Sequence, residues 1–219
     1  TLAAGVAHEV GNPLASISAL VQVAERNTED VFIKEKLALV KNQVTRISKI
    51  IKDLVDFSRP SNFELQRVNI NDCLKEAVEI TRVGTKAKNV IFDVKLSREL
   101  PTLPLVADQL EQVFVNIVLN AIDAINESKN DKQEKRISIE SALVDDEAVI
   151  TFIDSGSGIK EENLNKIFEP FFTTKTQGKG TGLGLWVSYG IIKSFQGNIE
   201  VDSKPEIGTK FTIKLPIGN

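Results

Sequence analysis

The chain has no methionine, one cysteine, one histidine, one tryptophan and one tyrosine among its 219 residues. It also lacks any apolar run of the roughly 18 residues needed to cross a bilayer. Each shortage excludes something. A single cysteine, Cys73, forms neither an internal disulfide nor a thiolate metal cluster, and its setting in DCLKEAVEI reads as a small core residue. No signal peptide or membrane span is expected within these residues, so any anchor or sensory part belongs to a segment outside this sequence. The absence of methionine, with Thr1 already inside a helical pattern, leads us to expect that the translated protein begins further upstream. Twenty-seven basic residues are scattered among 30 acidic ones, for a net charge of −3, which argues against a broad nucleic-acid surface. With 42% hydrophobic and 26% charged residues the composition is that of a globular protein, and the cytoplasm is the expected compartment.

With one histidine in the chain, any imidazole chemistry falls on His8. It stands in HEVGNPL, residues 8–14, beside a carboxylate. Glu9 is able to hold one ring nitrogen in a fixed tautomer, and Asn12, four residues on, shares the helical face of His8 with an amide suited to orienting water. The competing reading is a surface or core histidine with no task. Pro13 removes a backbone donor inside the helical pattern, which predicts a kink.

Apolar residues recur at alternating steps of three and four through Ala3, Ala7, Val10, Leu14, Ile17, Val21 and Ala24. They do so again through Ile33, Leu37, Val40, Val44, Ile47, Ile51 and Leu54. The period breaks around residues 26–30, where Thr28 or Asp30 is placed to cap the second helix. This spells a helical hairpin with one seam per helix. A dimer closing a four-helix bundle covers both seams, and packing of the hairpin on its own C-terminal domain is the alternative. In that register His8 and Asn12 face outward. SRPSN, residues 58–62, has linker composition, which predicts domains at 1–62 and 63–219.

Beyond the linker, helices and strands mix. RVNI reads as a short strand, Asn71 as the cap of a helix to about Arg82, VIFDVKL as a strand, and Pro101 and Pro104 as brackets of a loop. Asp108 opens a long apolar helix. RISIESALV and AVITFID then form successive strands around an Asp-Asp-Glu turn, and a helix from Gly182 to about Phe195 precedes two more strands, NIEVDS and TKFTIKLP. The expected class is α+β, with helices on one face of a mainly antiparallel sheet.

Within the long helix, Asn116 and Asn120 share one face amid hydrocarbon. They either bond each other or nearby backbone, or offer hard amide oxygens to magnesium, which takes the rest of its shell from water and phosphate. DSGSGI, residues 154–159, follows a strand and places Asp154 where a buried carboxylate would accept from an exocyclic amine such as that of adenine, although many turns look the same. In GKGTGLGL, residues 178–185, Gly180, Gly182 and Gly184 alternate just before a helix, an arrangement that brings backbone amides to phosphate. Neither the P-loop nor the dinucleotide spacing is met. Between the glycine clusters, Phe168, Phe171 and Phe172 are fit to anchor a loop, and Lys175 and Lys179 to reach phosphates; a solvated flexible loop is the plainer reading.

Taken together, HEVGNPL, QVFVNIVLNAIDA, DSGSGI, FEPFFTTK and GTGLGL stand in the order and spacing of the H, N, G1, F and G2 boxes. The chain strongly resembles the catalytic core of a bacterial sensor histidine kinase over essentially its whole length, and looks most like the nitrogen-regulation and dicarboxylate-sensing branch. The resemblance implies a dimeric hairpin carrying the phosphoacceptor and a GHKL-type ATP-binding sandwich, as in gyrase and Hsp90. By the same resemblance His8 would be the phosphoacceptor and Glu9 the group that holds its ring and helps deprotonate it. Asn120 would ligate magnesium, with Asn116 close to the phosphates, and Asp154 would bind the adenine amine. Gly156 and Gly158 would let the base approach, with Ile159 at the same site and Thr209 in support. Lys175 and the backbone of Gly180, Thr181, Gly182, Leu183 and Gly184 would contact phosphates. The implied reaction is transfer of the γ-phosphoryl group of ATP to His8 and on to an aspartate of a response-regulator receiver domain. A phosphatase activity through Asn12 is expected beside it, with helix capping around Pro13 as that residue's alternative role. Two other classes remain: a nucleotide-binding dimeric scaffold without catalysis, and an ATPase clamp.

Overall fold

A computed structural model of the chain describes residues 2–58, 65–128, 134–175 and 180–218, and the side chains of all of these except 2–9, 49 and 52–58. The chain divides into two compact units. One comprises Thr1–Asn62 and Glu169–Gly184, the other Phe63–Phe168 and Leu185–Asn219.

The first unit is built on α1 (Leu2–Asn27) and α2 (Val31–Ser58). Their junction is set by Asp30, whose Oδ1 accepts from the backbone N–H of Phe32 at 2.8 Å and of Ile33 at 3.2 Å, while Thr28 Oγ1 accepts from the Asp30 N–H at 3.2 Å. The two helices run antiparallel, with Lys41 Nζ of α2 3.5 Å from Glu25 Oε2 of α1. Helix α1 continues through Pro13. The heptad seams are covered unequally. Leu14, Val21 and Val44 are buried, but Ile17, Ile33, Val40 and Ile47 of the same seams stay between 41% and 45% exposed.

The second unit opens with β1 (Gln66–Val68) and α3 (Ile70–Arg82). The cap of α3 is Asn69 and not Asn71: the Asn69 side chain accepts from the Asn71 N–H at 3.0 Å. Asn71 instead ties two strands together, donating to the Ser97 carbonyl at 2.7 Å and accepting from Ser141 Oγ at 2.8 Å. After β2 (Ile91–Leu96), the segment expected as a loop contains β3 (Leu103–Leu105), which pairs antiparallel with β1 and sets Pro104 opposite Arg67. A two-stranded ribbon has only edges, which is where a proline without its N–H is tolerated.

Helix α4 (Ala107–Glu127) begins one residue before Asp108, which sits in its first turn. The strands β4 (Arg136–Val144) and β5 (Glu147–Asp154) are joined through Asp145 and Asp146, both at positive φ. The short α5 (Glu161–Leu164) and α6 (Gly184–Ser194) precede β6 (Asn198–Lys204) and β7 (Gly208–Pro216). The sheet order is β2-β4-β5-β7-β6, with β2–β4 parallel and the other pairs antiparallel.

Strict alternation builds the core. Ala148, Ile150 and Phe152 of β5 and Phe211, Ile213 and Leu215 of β7 are all buried, as are Leu110, Phe114, Ile117, Ile122 and Ile125 of α4. Phe114 meets Phe152 with ring centroids 5.7 Å apart. At roughly 1.5–3 kcal/mol for each large apolar side chain taken from water, this face of the sheet supplies most of the unit's stabilisation. Cys73 is buried at the α3–α4 contact, and burial first, then the nearby Glu111 charge, pushes its thiol up to about 12. Burial likewise raises Glu111, aided by Glu76 and Asp108.

Candidate functional site

The alternation that fills the core does not stop at the last apolar residue. Along β5 the buried positions are 148, 150, 152 and then 154, so the period carries the Asp154 carboxylate to the inner face, where it is only 6% exposed. The same period along β7 carries Thr209 inward at 5% exposure, and Thr209 is the register partner of Asp154. Asp154 Oδ1 accepts from the Gly156 N–H at 2.8 Å. Burial pushes the carboxyl up to about 6, and the backbone N–H groups of Gly156 and Thr209 pull in the opposite direction. A carboxylate so placed is acceptor-only, desolvated and fixed in direction, which suits it to one donor on a ligand.

The turn after Asp154 is clamped on both sides. Gly156 lies against α4, where a Cβ would come within 2.7 Å of Ala124, and the Ser157 N–H donates to the Ala124 carbonyl at 3.1 Å. That carbonyl also accepts from the Ser128 N–H at 3.1 Å, closing the last turn of α4. Gly158 has φ +67°, and a Cβ there would run into the Lys204 carbonyl, so the chain needs glycine. Ile159 then donates its N–H to Ser203 Oγ at 2.8 Å.

Asn120 and Asn116 lie one and two turns before Ala124 on the same face of α4, so the helix lines up both amides with the 154–158 turn. Asn116 Nδ2 donates to Ser188 Oγ of α6 at 3.2 Å, which leaves its carbonyl oxygen on the other branch of the amide. Among the described residues, no group of three or more His, Cys, Asp or Glu side chains is placed to hold a metal ion. The amide oxygens of Asn116 and Asn120 are hard donors on the α4 face that leads to the turn. This fits a hard cation that keeps most of its shell for water and phosphate.

The second glycine cluster runs directly into α6. Leu183 and Thr181 are buried, and the Leu183 N–H lies 3.4 Å from Thr181 Oγ1. Gly182 has φ +72°, and a Cβ would strike the backbone of Phe171, itself in the left-handed region. Gly180 packs on Thr173, whose hydroxyl also accepts from the Lys175 N–H at 3.2 Å. Gly184 is the first residue of α6 rather than the middle of a longer helix from Gly182. Phe168 stacks at 5.3 Å on Tyr189. Lys179 lies outside the described residues.

His8, Glu9 and Asn12 share helix α1; the side chains of His8 and Glu9 are outside the described residues, and Asn12 is exposed. The Asn12 carbonyl accepts from Ser16 Oγ at 3.2 Å. In the second unit, Asp154, Gly156, Gly158, Ile159 and Thr209 come together at the β5, β6 and β7 ends against Ala124 of α4, while Asn116 and Asn120 lie earlier on that helix, Asn116 on Ser188 of α6. Sequence reasoning missed Ser203, although it follows Ile199 and Val201 at the inward parity of β6, where a polar residue is itself a signal. It also missed Ser188, fully buried on α6 behind Asn116.

A family model described as "Histidine kinase-, DNA gyrase B-, and HSP90-like ATPase" matches residues 105–219, and one described as "His Kinase A (phospho-acceptor) domain" matches residues 1–63. The chain is 38% identical over 217 residues to the signal transduction histidine-protein kinase AtoS of Escherichia coli strain K12, covering 99% of this chain and 34% of AtoS. It spans less than half the length of AtoS and of the ZraS and sporulation kinases it also matches. Histidine kinase ThkA, solved in complex with the response regulator protein TrrA, superposes with a TM-score of 0.65 at 25% identity, covering 99% of this chain and 61% of ThkA. Full-length ShkA, solved with AMPPNP, shares the fold at a TM-score of 0.71 and 19% identity, covering 98% of this chain and 45% of ShkA.

Proposed function

This chain belongs to the sensor histidine kinase family, and from that premise we propose that it binds ATP with magnesium, phosphorylates itself on His8 and passes the phosphoryl group to an aspartate of a response-regulator receiver domain. Residues 1–62 are the dimerisation and phosphotransfer hairpin, and residues 63–219 the ATP-binding domain. The observation that supports the ATP reading most directly is the desolvated Asp154 carboxylate, set by strand alternation at the closed end of a glycine turn and held by backbone donors alone. It accepts from the adenine amine, with Thr209 beside it and Gly156, Gly158 and Ile159 forming the wall. Asn120, with Asn116 on the same helical face, would hold magnesium, which would supply charge neutralisation to the phosphates. Lys175 and the backbone of Gly180–Gly184, leading into the N-terminus of α6, take the phosphate oxygens.

In the transfer step a ring nitrogen of His8 attacks the γ-phosphorus in line. The bond to the oxygen bridging the β-phosphate breaks, ADP departs with that electron pair, and Glu9 takes the ring proton. The product is a phosphoramidate, reactive enough to donate to a carboxylate. Two copies of the hairpin supply the bundle, since each leaves Ile17, Val40 and Ile47 open. Labelling with γ-labelled ATP separates this reading from its rivals. Acid-labile, base-stable label is expected; released phosphate without it identifies an ATPase clamp, and neither outcome identifies a scaffold.

The kinase is also a phosphatase of its regulator. Asn12 is exposed one turn beyond His8, and its amide orients a water for in-line attack on the receiver's acyl phosphate, a role that needs hydrogen bonding but no proton transfer. Asn12→Ala is expected to leave autophosphorylation and transfer intact while the phosphorylated receiver persists far longer. A variant losing both activities together would assign Asn12 to helix structure instead.

A further inference from the structure

Asp154 on β5, Thr209 on β7 and Ser203 on β6 are successive register partners, so the three side chains stand in a row across adjacent strands at the inward parity. Ser203 Oγ lies 2.8 Å from the Gly208 carbonyl, 2.8 Å from the Ile159 nitrogen and 3.0 Å from Thr209 Oγ1. A hydroxyl has one proton and two lone pairs. The Gly208 carbonyl only accepts, so it takes the Ser203 proton. The Ile159 N–H only donates, so it fills one lone pair. What is left on Ser203 is a lone pair facing Thr209, and the contact is a hydrogen bond only if Thr209 donates into it. Thr209 thus spends its single proton away from Asp154 and turns only lone pairs to its other neighbours.

We infer that Ser203 is a specificity-determining residue of the base pocket: by holding the Thr209 proton it makes the Asp154–Thr209 pair face the purine as acceptors only, selecting a 6-amino purine over a 6-oxo purine. The inference rests on the adenine-site reading above and adds a polarity to it. A 6-amino group donates to both acceptors. A 6-oxo group puts a third acceptor where the amine stood, and the one proton of that edge of the base moves to N1, out of line with the two acceptors. Ser203 acts through Thr209 and Ile159, so it is a positioning residue rather than a catalytic one.

The test titrates the full chain with three triphosphates: ATP, purine riboside triphosphate with hydrogen at C6, and inosine triphosphate with oxygen at C6 and a proton on N1. The expected order in the parent is ATP tightest, then purine riboside, then inosine weaker by roughly tenfold again, the scale of a buried polar group left unmatched. In Ser203→Ala the Thr209 hydroxyl is free to turn and donate, so ATP weakens several-fold and the purine riboside–inosine gap closes. Ser203→Thr keeps the hydroxyl and restores the parent order. If the parent favours ATP but binds the other two equally, or if Ser203→Ala leaves the gap unchanged, the inference fails and the adenine reading stands. If all three bind the parent alike, the adenine reading itself fails. Should Ser203→Ala unfold, Ser203→Cys, whose thiol is only a weak acceptor for the Thr209 proton, is read against the same gap, and an unchanged gap overturns the inference.

Discussion

The two units treat their apolar residues differently. In the sheet unit, Leu110, Phe114, Ile117, Ile150, Ile192 and Ile213 are essentially removed from water, and the inward rows of β5 and β7 leave no apolar gap. In the hairpin, three seam residues are buried while four others of the same heptads remain more than 40% exposed. One unit is closed by its own chain, and the other has half a core. A helix pair offers a single contact line, whereas a sheet backed by helices offers a whole face, so the second copy proposed above would bury what the hairpin's period prescribes. The ligand groups follow the same division: the desolvated carboxylate lies in the closed unit, and the imidazole on a helix of the open one.

If the division is also one of labour, His8→Gln is expected to abolish acid-labile labelling completely while ATP affinity stays at the parent value. Persistent acid-labile label, or a parallel loss of ATP binding by calorimetry, would break the comparison. Next in size, placing charges on the open seam with Ile17→Glu and Ile47→Glu is expected to turn the dimer into monomer at micromolar concentration. The melting of the sheet unit should hold, since surface substitutions rarely move stability by more than about 0.5 kcal/mol. Sedimentation that still shows a dimer would mean the exposed seam is not the interface.

A smaller effect sharpens the closed half. Asp154→Asn keeps an oxygen for the Gly156 and Thr209 N–H groups but presents donors toward the amine. ATP affinity is expected to fall by about 1.5–3 kcal/mol, the scale for hydrogen bonds to charged groups. Unchanged calorimetric binding would remove Asp154 from the pocket. The smallest effect is on pH dependence. Burial raises the Asp154 carboxyl from 3.8 to about 6 in the folded chain. Its contribution to stability is therefore fully present below about 3.8 and is lost as pH rises through about 6. ATP binding has the opposite sign, weakening as pH falls through about 6 because the protonated carboxyl no longer only accepts. A free-protein melting profile in which Asp154→Asn shows the same pH dependence as the parent across that window would contradict the assigned burial.

Much of this was legible because it is periodic. The three-four spacing placed α1 and α2, Asp30 announced their junction, and alternation placed β4, β5 and β7. Asp154 was legible as a strand-end carboxylate. What escaped depends on partners distant in sequence. Asn71 looks like the better cap until its amide is needed by Ser97 and Ser141, leaving the turn to Asn69. Pro104 reads as a strand breaker unless β1 is there to make β3 an edge. Ser203 carries only the parity signal of β6, since its partners come from the β6–β7 register and from the turn that delivers Ile159.

The carbonyl of Ala124 holds both the Ser128 N–H that ends α4 and the Ser157 N–H of the glycine turn. Two donors on one acceptor join the helix end and the turn at one atom, and the expectation is that fraying of one accompanies opening of the other. In hydrogen-exchange experiments those two amides should share one opening free energy, rising together when nucleotide seats against the turn. A base seated against this turn, as proposed above, would then be released at a rate tied to the last turn of α4.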